Sequence, residues 1–411
     1  MFEMMAKTVR NGILTLLVFC FSACSSVQPR DSQDGLMAAP ELRRVDAPAL
    51  DGHNLISYDV YAMGNVLHAL FAAESDTPKK PFVGYLRSED GGLHWTETVE
   101  IGRYVPETME SAAGNDIQVA ASGDNVLAIW QVTGEIPGMG PLRAVYSTDS
   151  GASWKQGLNP AASEIDQSHP DLLADADGRF HLVWLDDRDE NGYQGIRYAR
   201  TSDAGQDWEL AQTIDESTCS CCWNRLLMGQ DRQIDVLYRD MEPRDMALAL
   251  SKDGGQSWRR LSTVGEFNWQ FDGCPHNGGA LAWAGQTLHA LAWTGAENMA
   301  GLYHLYSTDN GTSWSPPQRM GGESLAFHSD IAAASAEHVL AIWDARGADG
   351  SAVMISESVD GGKHWSAAQR LSSPGSSAQF PRMAATANGV LALWVEQMPG
   401  GNKQWMSAIF K

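Results

Sequence analysis

The chain has 411 residues, with 51 acidic against 29 basic side chains and a formal charge of -22. That balance disfavours a nucleic-acid binder, because binding by counterion release needs a basic surface, and 43% hydrophobic with only 19% charged residues excludes a disordered chain. Forty Gly and 15 Trp imply many turns and many large aromatic packing positions, the composition of an all-β protein built from repeats.

The N-terminus reads as an export signal over residues 1–23. Lys7 and Arg10 make a short basic start, and Ile13 to Phe21 is an apolar stretch too short to span a bilayer. Phe21-Ser22-Ala23-Cys24 resembles a bacterial lipobox, with Cys24 as the lipidated first residue of the mature chain. Ser25 after Cys24 favours, by the same resemblance, the outer membrane. Residues 24–40 are polar, with Pro and Gly, and suit a lipidated tether; residues 41–411 are left for the folded domain. The expected location is therefore the cell envelope, on a lipid anchor facing the periplasm or the exterior. Of six Cys, Cys20 leaves with the signal and Cys24 carries lipid. Cys219, Cys221, Cys222 and Cys274 remain, in an oxidising compartment.

One turn then recurs six times. It first reads Ser88-Glu89-Asp90-Gly91-Gly92-Leu93-His94-Trp95, and returns at Ser147 to Trp154, Thr201 to Trp208, Ser251 to Trp258, Ser307 to Trp314 and Ser358 to Trp365. The Asp can accept hydrogen bonds from the turn's own amides, the Gly tolerates the positive φ of a tight hairpin, and the Trp can fill the wedge between neighbouring sheets. A buried-strand pattern recurs seven times, beginning at residues 66, 126, 180, 234, 287, 339 and 390. Its β-branched and aromatic content fits interior strands. A strand precedes each copy and another follows it into the turn, whose Trp starts a fourth, outer strand. The seventh unit lacks the turn and the outer strand, and Glu41 to Val45 supplies a strand that could pair with the C-terminal unit Trp405 to Lys411.

The turn resembles the Asp box of the sialidase-like, BNR-repeat β-propellers, without being close to the catalytic sialidases. The resemblance implies an all-β, seven-bladed propeller with four-stranded blades, closed by pairing its N-terminal strand with its C-terminal blade. The alternative is a six-bladed ring, as in catalytic sialidases, with one unit outside it. Eleven Trp take structural posts on this reading; Trp223, Trp269, Trp283 and Trp405 remain unassigned.

By the same resemblance, ligands bind the face opposite the Asp boxes, around the central funnel. Two loops there carry all four remaining Cys: Asp215 to Trp223, with Cys219, Cys221 and Cys222, and Asp272 to Asn277, with Cys274 and His276. Three readings stay open. The Cys form disulfides, or they bind a soft ion such as copper or zinc together with His276, or they exchange redox equivalents. His169 and His328 enter neighbouring blades at equivalent loop ends and could complete a ligand site. A sialidase-like glycoside hydrolase would instead need three Arg for an acidic sugar and an Asp for proton transfer, for which Arg239, Arg346, Arg382 and Asp240 are the candidates. No Arg-Ile-Pro motif occurs and no Tyr–Glu pair can be assigned. Arg188, Arg244, Asp186 and Asp344 complete the charged funnel-side set, and two Asp-x-Arg repeats, at Asp186 and Asp344, suggest structural salt bridges. A third possibility is an assembly platform that binds another envelope protein. The lead expectation is a small-ligand or metal site at the Cys/His-rich funnel face.

Overall fold

The computed structural model describes residues 42–48, 50, 53–75, 81–186, 194–322, 325–347 and 350–411. The export signal, Cys24, the tether and Arg188 lie outside the described residues. Within them the chain forms seven four-stranded antiparallel sheets. Among the described residues the one helical element is a single 3-10 turn, Gly102–Tyr104.

Six blades are each made of four consecutive strands. Blade one runs Asn54–Met63, Val66–Glu74, Pro81–Ser88 and Val99–Glu100. Blade seven takes three from the C-terminus, Ser377–Thr386, Gly389–Gln397 and Lys403–Phe410, and its fourth from the N-terminus, Leu42–Val45. The register of this closure runs from Leu42 opposite Phe410 to Val45 opposite Ser407. Each innermost strand packs on the next, and that of blade seven returns to that of blade one. The ring is therefore seven-bladed, with the predicted closure, and the six-bladed alternative falls. Pairing the two ends removes the exposed edge that an open sheet would present.

The second strands are the buried ones, as their composition requires. Trp130, Trp184, Trp343 and Trp394 sit at equivalent places in them and are fully buried. At the far edge the outer strands shrink to two residues at Val99–Glu100, Lys155–Gln156 and Gln369–Arg370. They begin after the Asp-box Trp, later than the sequence suggests.

Each Asp box is a closed local circuit. Ser251 Oγ donates to Asp253 Oδ1 (2.7 Å) and accepts the Gly255 amide (2.8 Å), while the same carboxylate accepts the amides of Gln256 and Ser257. Gly255 has φ +83°, and a Cβ there would fall 1.7 Å from the Tyr198 hydroxyl of the preceding blade, so both conformation and space demand Gly. The box Trp fills the wedge between blades: Trp154 meets Tyr85, Trp258 meets Tyr198 and Trp365 meets His304, all edge-on at 4.8 to 4.9 Å.

Candidate functional site

The axis of the ring can be read from register. One residue of each innermost strand faces the same place on its neighbour. In chain order these residues are Asp59, Gln118, Asp171, Arg225, Ala280, Asp330 and Arg382. Only one of the seven is apolar. Three carboxylates clip their own blade to the next by accepting an amide, Asp59 from Val119, Asp171 from Leu226 and Asp330 from Met383. The guanidiniums cross further. Arg225 of blade four reaches Asp330 of blade six at 2.8 Å, over blade five, whose Ala280 is small. Arg382 of blade seven reaches Asp116 of blade two at 2.7 Å. Burial raises Asp59 to about 7 and Asp171 to about 6, and raises Asp116 as well.

Just outside this ring, the entering chain turns left-handed. His169, His276, His328 and Phe380 all have φ between 48° and 55°. His169, His328 and Phe380 are β-bulges, each two residues before its axial Asp or Arg. The sequence signal is visible in hindsight as His169-Pro170-Asp171, His328-Ser329-Asp330 and Phe380-Pro381-Arg382. His169 and His328 thus lie in innermost strands, not in the loops expected from sequence. Trp223 caps the axis. It stacks on His328 of blade six at 4.9 Å, lies 3.4 Å from the Cβ position of Gly114 in blade two, and crowds Gly278 of blade five. His328 also packs on Phe380 (4.1 Å) and meets Asp344 Oδ2 through Nδ1 at 2.5 Å. Sequence reasoning left Trp223 without a post and, of the axial charges, placed only Arg382 at the funnel.

The cysteines sit against this cap. The outer strand of blade three ends at Thr218, and Cys219, Cys221 and Cys222 follow on one buried turn. Cys219 Sγ lies 3.4 Å from Cys222 Sγ and 3.6 Å from Cys221 Sγ. The three sulfurs form one group with all ligand atoms within 4.8 Å of one another, and Cys221, Cys274 and His276 form a second. All four Cys are free. None of the described sulfurs lies at bonding distance from another, since an S–S bond is about 2.05 Å and the three sulfurs of the turn converge at 3.4 and 3.6 Å from Cys219. Hydrogen bonds shared with Cys221 and Cys222 hold Cys219 well below the usual thiol range. Contacts with Cys219 and Cys222 push Cys221 up, and burial above all raises Cys222 to about 12. His169 stands close enough to feel Cys219 and His276, and its Nδ1 is buried without a hydrogen-bond partner among the described residues.

Arg239 clamps the two Cys loops together. Its carbonyl accepts the Cys219 amide (2.9 Å), and its guanidinium donates to the carbonyls of Asn277, Arg244 and Trp293 while lying over the Trp269 ring. Those donors are engaged with backbone, so Arg239 is placed to shape the site. The other sugar-binding candidates are dispersed in their partners. Arg382 is paired with Asp116. Asp240 takes Arg260 at 2.7 Å. The exposed Arg346 guanidinium, among the described residues, meets only the Phe327 ring face. Of the two Asp-x-Arg repeats, Asp186 pairs with Arg197 at 2.6 Å and Asp344 meets His328, while Arg188 lies outside the described residues.

With the site in view, comparison with known proteins locates the chain. A BNR repeat-like domain matches residues 58–272, just over half of the chain, and a BNR/Asp-box repeat matches residues 305–316. No curated protein matches. Among solved structures the chain is similar to a protein of unknown function from Dyadobacter fermentans, with 13% identity, 91% of this chain and 100% of that chain covered, and a TM-score of 0.52. It is similar to the polysaccharide lyase Uly1, with 12% identity, 89% and 91% covered and a TM-score of 0.58. It also resembles the Hadza microbial sialidase Hz136, with 14% identity, 80% and 73% covered and a TM-score of 0.50. At such identities the likeness is one of fold.

Proposed function

From the premise that this chain belongs to the BNR repeat-like domain family, with a sialidase-like propeller fold, we propose that it is a cell-envelope lipoprotein whose funnel face binds a soft metal ion, copper(I) or zinc. Cys219, Cys221, Cys222, Cys274 and His276 supply the donors of this metal-binding face, with His169 and His328 at the periphery. The carrying observation is the convergence of three sulfurs on one turn, with Cys221 also within 4.8 Å of Cys274 and His276 from a second loop. A tetrahedral ion with metal–sulfur bonds of about 2.3 Å spaces its sulfurs about 3.8 Å apart, and the Cys219 sulfur lies 3.4 and 3.6 Å from its two neighbours. Thiolate is the donor that selects such ions. The orphaned His169 Nδ1 beside this cluster supports the same reading, since a buried polar atom without a partner costs stability unless something satisfies it. What supports the lipid anchor is the sequence around Cys24.

The test is metal retention. Full-length protein purified without oxygen is offered copper(I) or zinc in competition with a chromophoric chelator, and bound metal and free thiols are then counted. Retained metal that disappears in the Cys219→Ser/Cys222→Ser/Cys274→Ser variant, with the fold unchanged by circular dichroism, is the expected result. Two complete disulfides and no retained ion would overturn the proposal. A panel of acidic glycosides run on the same preparation addresses the hydrolase reading.

A further inference from the structure

The ligands just described are too many and too widely spread for one ion, and we infer that the centre takes two copper(I) ions bridged by the Cys221 sulfur, an inference that rests on the metal-binding reading above. The geometry is specific. Cys219, Cys221 and Cys222 lie within 4.8 Å of one another, and so do Cys221, Cys274 and His276, but neither Cys274 nor His276 joins the first group within that radius. A single tetrahedral ion needs all its sulfurs at about 3.8 Å from each other. It could therefore take one group or the other, not both. Cys221 alone belongs to both groups, and a thiolate sulfur carries enough lone pairs to bind two metals at once. One ion then rests on the buried turn of Cys219, Cys221 and Cys222. The second lies between Cys221 and the exposed pair Cys274 and His276.

Charge favours two monovalent ions. Four thiolates bring four negative charges. Two guanidiniums stand against them, Arg239 acting on Cys222 and Arg244 acting on Cys219. Both Arg are buried. Two copper(I) ions complete neutrality, whereas two zinc ions would leave two uncompensated positive charges beside a buried turn. Copper(I) also accepts the three-donor sets that each group offers, and soft sulfur donors select it. His169, beside Cys219 and His276 and lacking a partner at Nδ1, is the nearest further nitrogen donor.

The experiment counts ions. Full-length protein is loaded with copper(I) under nitrogen against a chelator and weighed intact by native mass spectrometry, with X-ray absorption used to detect metal–metal scattering. The expected result is two copper ions per chain with a short metal–metal vector. Cys274→Ser/His276→Ala should retain one ion without that vector, and so should Cys219→Ser/Cys222→Ser. Cys221→Ser leaves two donors in each group and should weaken both ions by about a hundredfold or more. Circular dichroism and the thermal transition of each variant confirm that it folds. One ion in the unaltered chain overturns the bridged centre while leaving the metal-binding reading intact. Two ions that persist in Cys221→Ser mean separate sites and also overturn it. No ion in the unaltered chain overturns both.

Discussion

The Asp-box turns show their aspartates to water and bury their serine or threonine hydroxyls, whereas the funnel axis buries its aspartates among the innermost strands. The chemistry of the same side chain inverts between the two. In the boxes Asp149, Asp253 and Asp309 are lowered to about 2, chiefly by the hydroxyls of Ser153, Ser257 and Ser313, with backbone amides adding to the effect. On the axis Asp59 and Asp171 are raised to about 7 and about 6 by burial, against the pull of nearby guanidiniums. A box is completed within eight residues and can be copied from blade to blade. The axis is assembled from residues hundreds of positions apart, such as Arg382 and Asp116, and the seven blades contribute three Asp, two Arg, one Gln and one Ala. One region repeats because it is local; the other is unique because it is where all seven blades meet.

The strongest way to break this contrast is to remove an axial cation. Arg382→Met leaves the buried Asp116 carboxylate with Ser57 but without its guanidinium. Uncompensated buried charge costs about 3–5 kcal/mol in comparable pairs, to be read as a shift in the urea midpoint at constant slope. Adding Asp116→Asn should restore part of that loss, because it removes the stranded charge. A loss below about 1 kcal/mol in the single variant would mean that water screens the axis as it screens the boxes, and the two regions would then differ only in location.

The pH dependence of stability sharpens the comparison, since the two regions act in opposite directions. A carboxyl raised by folding binds its proton more tightly in the native state. The axial contribution is thus fully present below about pH 4 and is lost as the pH climbs through about 6 and 7. Each such group changes stability by up to about 1.4 kcal/mol per pH unit within that window. Asp59 faces Arg382, Arg225 and Asp171, and Asp171 faces Arg225, Arg382 and Asp330, so the slope belongs to the ring as a whole. The box carboxylates do the reverse. Their contribution is present above about pH 4 and fades as the pH falls towards 2. Stability should therefore peak near pH 4, and Asp59→Asn should flatten the limb between pH 4 and 7. A limb unchanged in that variant would remove the axial carboxylates as its cause.

What the sequence disclosed follows the same division. Six copies of Ser/Thr-x-Asp-x-Gly-x-x-Trp and seven buried strands gave blade number, strand order and closure, because each signal is short and repeated. The Cys-bearing loops stood out because four cysteines within 56 residues, Cys219 to Cys274, are a conspicuous cluster. Their free, converging state was not legible. It depends on the Arg239 clamp, which joins Cys219 to Asn277 through one residue of a third segment. The role of Trp223 depends on His328, Gly114 and Gly278, from three other blades. Arg239 itself resembled a ligand-binding arginine because sequence shows a charge near a funnel but not the three carbonyls that engage it.

The smallest expected effect lies in the repeating region and tests its autonomy. Ser251→Ala removes an oxygen that accepts the Gly255 amide and donates to Asp253, while leaving the backbone of the turn unchanged. The Gly255 amide is buried, so it loses its acceptor without gaining water, at a cost of about 1–2 kcal/mol. Ser147, Ser307 and Ser358 make the same two bonds at 2.7 to 2.9 Å in other blades, so their Ala variants should lose similar amounts. A pair of such changes in different blades should add, since the boxes share no partner. Metal loading should be unaffected in every one, because the hydroxyl circuit closes at the end of the blade remote from the cysteine turn. If Ser251→Ala instead lowered the metal count, the boxes would be coupled to the funnel through the blade, and the independence of the two regions would be lost.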